Sequence, residues 1–145
     1  MIQRVQSIYW FLSAALLIAF LFLPLFGYGP TGNESLFMVQ NCTALSITIA
    51  ITAFIALLNI LLFKNRPLQI KISWLITFLL LISIVLFMAA HYYFLLQGKE
   101  PASEGDLVTI KWATALPFVA LILNLLAKRG VQADEKLVSA SDRLR

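Results

Sequence analysis

Charge is confined to the gaps between four long charge-free segments, and this limits the chain more than any other feature. The segments are residues 5–33, 35–63, 72–98 and 112–127. A bilayer core of about 30 Å takes roughly 20 helical residues, and each segment approaches or exceeds that once its flanks are counted. A soluble domain is about one quarter charged, whereas this chain is 12% charged and 61% hydrophobic. The expected architecture is therefore all-α: an integral membrane four-helix bundle, up-down-up-down, in one domain. Residues 1–130 form it, with helices at about 5–26, 41–63, 68–96 and 107–127. Residues 131–145 form a cytoplasmic tail or short helix.

The charges are also distributed unequally. Arg4, Lys64, Arg66, Lys71, Lys128, Arg129, Lys136, Arg143 and Arg145 fall on one side of the four segments, which is nine of eleven basic residues. The other side holds only Lys99 and Lys111, against Glu34, Glu100, Glu104 and Asp106. Basic residues collect on the cytoplasmic side. Both termini of a multi-pass protein are thus expected in the cytoplasm. The net charge of +4 matches lipid headgroups better than nucleic acid, because the basic residues flank apolar segments rather than forming one patch. Arg4 before the apolar run resembles a signal sequence, but the run is too long and Pro30 follows the nearest small-residue site, so the first helix reads as an uncleaved anchor.

Particular residues mark helix contacts and turns. In the second helix Ala44, Thr48, Thr52 and Ala56 recur at spacing four, and Asn59 continues the stripe. Small residues let helices approach in lipid, and Thr or Asn can hydrogen-bond across the contact. This stripe is expected to pack against other helices. Pro24 falls in the last turn of the first helix and Pro67 in the first turn of the third. Pro117 is expected to bend the fourth, and Lys128-Arg129-Gly130 to end it.

Two ends of the chain carry a family likeness. The start, Met1-Ile2-Gln3-Arg4-Val5-Gln6-Ser7-Ile8-Tyr9-Trp10, and the tail, Asp134-Glu135-Lys136-Leu137-Val138 through Asp142-Arg143-Leu144-Arg145, resemble a family of small four-helix inner-membrane proteins of Bacteroidota, classed as domain of unknown function 4293. Ser139 stands where that family's tail is expected to be basic. The resemblance implies an inner-membrane location. It implies no activity and assigns no catalytic residue.

Chemistry finds little support. Proton- or cation-coupled transport keeps an ionisable residue near the bilayer midplane, and none of the four helical cores holds Asp, Glu, Lys or Arg. One cysteine, Cys42, and one histidine, His91, make neither a thiol pair nor a zinc site. His91-Tyr92-Tyr93 reads as an interfacial belt, with a haem or quinone contact as its alternative. Glu100, Glu104 and Asp106 read as a solvated loop, with a divalent-cation site as the alternative. No catalytic residue, cofactor or metal is expected. The favoured function is a non-enzymatic accessory or scaffold subunit that packs against a larger membrane protein or complex. The alternative is a small transport or lipid-handling protein acting as a homo-oligomer. In the tail, Leu137, Val138, Asp142, Arg143 and Leu144 are the expected partner-binding residues, because an apolar stripe among mixed charges suits a protein surface.

Overall fold

The computed structural model describes residues 3–28, 35–62, 65–96 and 109–142. Four helices carry it: α1 (Gln3–Phe22), α2 (Thr43–Leu61), α3 (Arg66–Leu96) and α4 (Leu116–Asp142). Three short strands join them at one end: β1 (Pro24–Tyr28), β2 (Ser35–Met38) and β3 (Thr109–Ile110). α1 packs against α2 and α4, and α3 closes the other side against the same two helices.

The first helix stops earlier than the expected 26. Leu23 still donates its N–H to the Ala19 carbonyl at 3.2 Å, but Pro24 has no N–H and pushes its predecessor out of helical geometry. The chain then enters β1 with proline as the strand's first residue, where no ladder bond is lost. β1 is the centre of an antiparallel sheet in the order β2-β1-β3. Phe26 stands opposite Phe37 on one side and Ile110 on the other. The sequence led instead to helix at 24–26 and 109–110 and to loop at 27–28 and 35–38, with no strand at any of them.

Phe26 anchors this sheet to the helices. It is buried, stacks on Phe87 of α3 at 5.6 Å between centroids and on His91 at 4.2 Å, and meets Phe37 at 6.3 Å. Phe20 of α1 completes the cluster edge-on to Phe87 at 6.2 Å. Offset and edge-on aromatic pairs each contribute about 0.5–1.5 kcal/mol beyond simple burial.

The α2–α3 connection is short because Asn65 caps α3. Its side-chain oxygen accepts the Leu68 N–H at 3.4 Å, and its carbonyl accepts that of Gln69 at 3.0 Å. α3 starts at Arg66, with Pro67 second in the helix, where the missing donor costs nothing.

α4 departs most from expectation. It begins at Leu116 rather than 107, so Pro117 lies in its first turn and does not interrupt its hydrogen bonds. It also runs through Gly130 to Asp142, so residues 131–142 continue the helix and are not a separate tail. Gly130 serves a contact, not a stop. A Cβ there would lie 2.9 Å from Gln6 Cγ, so glycine permits α1 and α4 to close up.

Among the described residues three helices are long and apolar enough to cross a membrane: Thr43–Leu61, Arg66–Tyr93 and Trp112–Leu137. The stretch Gln6–Phe22 of α1 is apolar as well.

The glycine contact predicts a steric test. Gly130→Leu should displace Gln6 and cost about 1–3 kcal/mol, the usual range for overpacking, read as a lower thermal midpoint in detergent. Ala133→Leu, at an exposed position of α4, should leave the midpoint unchanged.

Candidate functional site

The interior near the Arg66 end is polar, and all its side chains but Thr52 take part in bonds that tie one helix to another. α1 contributes Gln6, Trp10 and Ser13; α2 contributes Thr52 and Asn59; α3 contributes Gln69, Ser73 and Thr77; α4 contributes Asn124. All are buried. On α1 and α3 their spacings of three and four place each set on one helix face.

Asn124 is the hub. Its Oδ1 accepts the Trp10 indole N–H at 3.2 Å. Its Nδ2 donates to the Ser73 carbonyl at 3.1 Å and to Thr77 Oγ1 at 2.9 Å. The Thr77 hydroxyl is free to accept because it gives its own hydrogen to the Ser73 carbonyl at 2.8 Å. One side chain thus ties α4 to both α1 and α3. Ser13 adds a second α1–α4 link, donating to the Ala120 carbonyl at 3.1 Å.

A second knot joins α2 to α3. Asn59 Nδ2 donates to Ser73 Oγ at 3.2 Å, Ser73 Oγ donates to the Gln69 carbonyl at 2.9 Å, and Gln69 Nε2 donates to the Asn59 carbonyl at 3.1 Å. Ser73 therefore belongs to both knots. Asn59 Oδ1 is buried without a hydrogen-bond partner among the described residues. Farther toward the helix ends, Gln6 Nε2 donates to Asp134 Oδ2 at 2.8 Å, and Arg66 Nη1 donates to the Asp134 carbonyl at 3.4 Å. These contacts bind the continuing part of α4 to α1 and to the start of α3.

Of the expected stripe on α2, Thr52, Ala56 and Asn59 are fully buried. Thr48 is half-buried, and Ala44 is exposed rather than packed. The two threonine hydroxyls do not cross between helices. Thr48 donates to the Ala44 carbonyl at 2.7 Å and Thr52 to the Thr48 carbonyl at 2.6 Å. Of the polar side chains in the stripe, only Asn59 hydrogen-bonds to a neighbouring helix among the described residues.

The rest of the network was not singled out from the sequence. Gln69, Ser73 and Thr77 do recur at spacing four in an apolar helix, and Asn124 is the one amide in the last charge-free segment. Both patterns are the signal that finds them.

Among the expected partner-binding residues, Leu137 is 66% exposed. The side chains of Val138 and Asp142, and all of Arg143 and Leu144, lie outside what is described. His91 does not form a belt with its neighbours. It turns onto Phe26, while Tyr92 and Tyr93 are exposed. Glu100, Glu104 and Asp106 lie outside the described residues. Cys42 is half-buried at a cavity of about 540 Å³ that Phe37, Leu86, Ala90 and Tyr93 also line. Among the described residues no group of His, Cys, Asp and Glu is placed to hold a metal.

The model of a family described as Domain of unknown function (DUF4293) matches residues 2–144. The chain belongs to that family. No curated protein and no solved structure matches it. Family membership fixes no activity, so the chemistry of the helix-to-helix network is the guide. Its members are neutral amides, hydroxyls and an indole, which suits positioning of helices rather than transfer of protons.

The hub predicts strong coupling between α1 and α4. Trp10→Phe and Asn124→Leu should each lower stability in detergent, and the double variant should lose less than their sum. The coupling is expected at about 1 kcal/mol, the scale of polar contacts between membrane helices. Additive losses would contradict the bond.

Proposed function

We propose that this protein is a non-enzymatic subunit of the bacterial inner membrane, an accessory or scaffold that packs against a larger membrane complex. In this reading the four helices form an up-down-up-down bundle across the bilayer. α1 spans together with β1, and both termini lie in the cytoplasm with the nine basic residues of that side. The outer faces support the setting: Phe11, Phe54, Leu61, Phe78 and Val85 are each more than half exposed. Such an apolar exterior suits lipid or a partner's helices.

The observation that carries the reading is the rigid continuation of α4. Gln6 and Arg66 bind Asp134, so the helix leaves the body held at its base. Beyond that point Leu137, 66% exposed, stands beside exposed Lys136, and the sequence goes on to Asp142 and Arg143. A short isolated helix is marginal in water, but one propagated from a long packed helix carries no nucleation cost. A preformed helix with apolar and mixed-charge positions fits docking in a groove of a second protein.

Deletion of residues 137–145 tests this, since it spares Val131, Asp134 and Lys136. The shortened chain should stay in the membrane and lose a stoichiometric larger partner that co-purifies with the full chain in mild detergent. Homo-oligomers alone, from full and shortened chains alike, would contradict the scaffold reading and favour the small transport or lipid-handling protein.

A further inference from the structure

We infer that the surface between α3 and α4 at the Arg66 end binds the headgroup of an anionic phospholipid; this rests on the membrane reading above. The starting observation is Lys128. Its side chain is only 7% exposed, and its ammonium lies 3.1 Å from the centroid of the Trp74 ring. Among the described residues no hydrogen bond or ion pair engages that ammonium. A ring face attracts a cation but offers no lone pair. A covered charge of this kind retains three donors and lacks a counter-ion.

The surroundings fit a phosphodiester. One helical turn from Trp74 on α3 is Ile70, and one turn from Lys128 on α4 is Gln132. Together with Glu135 and Lys136 these two line a cavity of about 460 Å³. Lys128, Gln132 and Lys136 follow at spacing four, so they share one face of α4. Lys71 and Arg129, both exposed, stand beside Ile70 and Lys128 in the chain. Glu135 is the acidic member of the cavity. Asp134 is not among its lining residues, and the charge it keeps while accepting from the neutral Gln6 amide is outweighed, with that of Glu135, by Lys71, Lys128, Arg129 and Lys136. The local balance is positive, with donors from lysine and amide for phosphate oxygens.

Position selects lipid over a soluble anion. Trp74 is 59% exposed and lies just inside the charge-free segment that begins at Ile72. Tryptophan at such a boundary sits at headgroup depth. A ligand with its phosphate near Lys128 and Lys136 can lay its glycerol and acyl chains along Trp74 and Ile70. A free phosphate gains nothing from those apolar walls.

Native mass spectrometry of the full chain in mild detergent, with added phosphatidylglycerol or phosphatidylcholine, tests the site. One phosphatidylglycerol should be retained at least about fivefold better than phosphatidylcholine, the effect of about one basic residue on an anionic headgroup. Lys128→Gln should abolish most of that preference and Lys128→Arg should keep it. Lys136→Gln, at an exposed position that leaves the fold intact, should weaken it. Lys111→Gln, near the sheet, should not change it. Equal retention of the two lipids, equal loss with Lys111→Gln, or displacement by inorganic phosphate as effective as by phosphatidylglycerol would overturn the assignment. Alkaline carbonate washing of native membranes tests the parent reading separately. A chain that washes off contradicts membrane insertion, and one that stays but shows no lipid preference contradicts only this site.

Discussion

Asn124 shows what governs this fold. A primary amide has two donors and an acceptor that must be matched wherever water is excluded. Trp10, Ser73 and Thr77 match them, and in doing so they set the register of α4 against α1 and α3. An apolar contact between these helices tolerates sliding, because one leucine resembles the next. A three-point hydrogen-bonded contact does not. Each bond is modest on its own, about 0.6 kcal/mol on average in comparable membrane settings, so its value here is specificity. Gln69, Asn59 and Ser73 repeat the device between α2 and α3, and the shared Ser73 joins the two knots.

The two ends of the molecule use opposite chemistry. At the sheet, Phe20, Phe26, Phe37 and Phe87 interlock through ring faces and edges. At the Arg66 end, amides, hydroxyls and finally Asp134 hold the helices together. Gly130 permits the close approach that brings Gln6 to Asp134. The result is a body whose polar groups face inward and whose exterior is apolar, with α4 continuing from its polar end. That continuation and the Lys128–Trp74 pair lie at the same end, so a protein partner and an anionic headgroup would meet the molecule at neighbouring places.

Much of the helical layout was legible because apolar length is a strong signal, and the positions of α2 and α3 followed within a few residues. Asn59 was legible too, since one amide in a stripe of small residues stands out. The rest was hidden for physical reasons. The sheet rests on strands of two to five residues, too short for alternation to show. Gly130 after Lys128-Arg129 looks like a helix end, and only the proximity of Gln6, more than a hundred residues away in sequence, shows that it marks a crossing. Ala44 shares the spacing of Thr52 but lies near the start of α2, where no helix covers it. Asn124 carried no period of its own, and its role depends on residues of two other helices.

The central claim is that Trp10 and Asn124 are bonded inside the molecule. Hydrogen exchange of the three indole N–H groups, followed by NMR in detergent, reads this directly. Trp10 is fully buried and donates to Asn124, whereas Trp74 and Trp112 are mostly exposed. The Trp10 indole should exchange by far the slowest of the three, and Asn124→Leu should speed it selectively. A Trp10 indole that exchanges as fast as those of Trp74 and Trp112, or one that is indifferent to Asn124→Leu, would contradict the account.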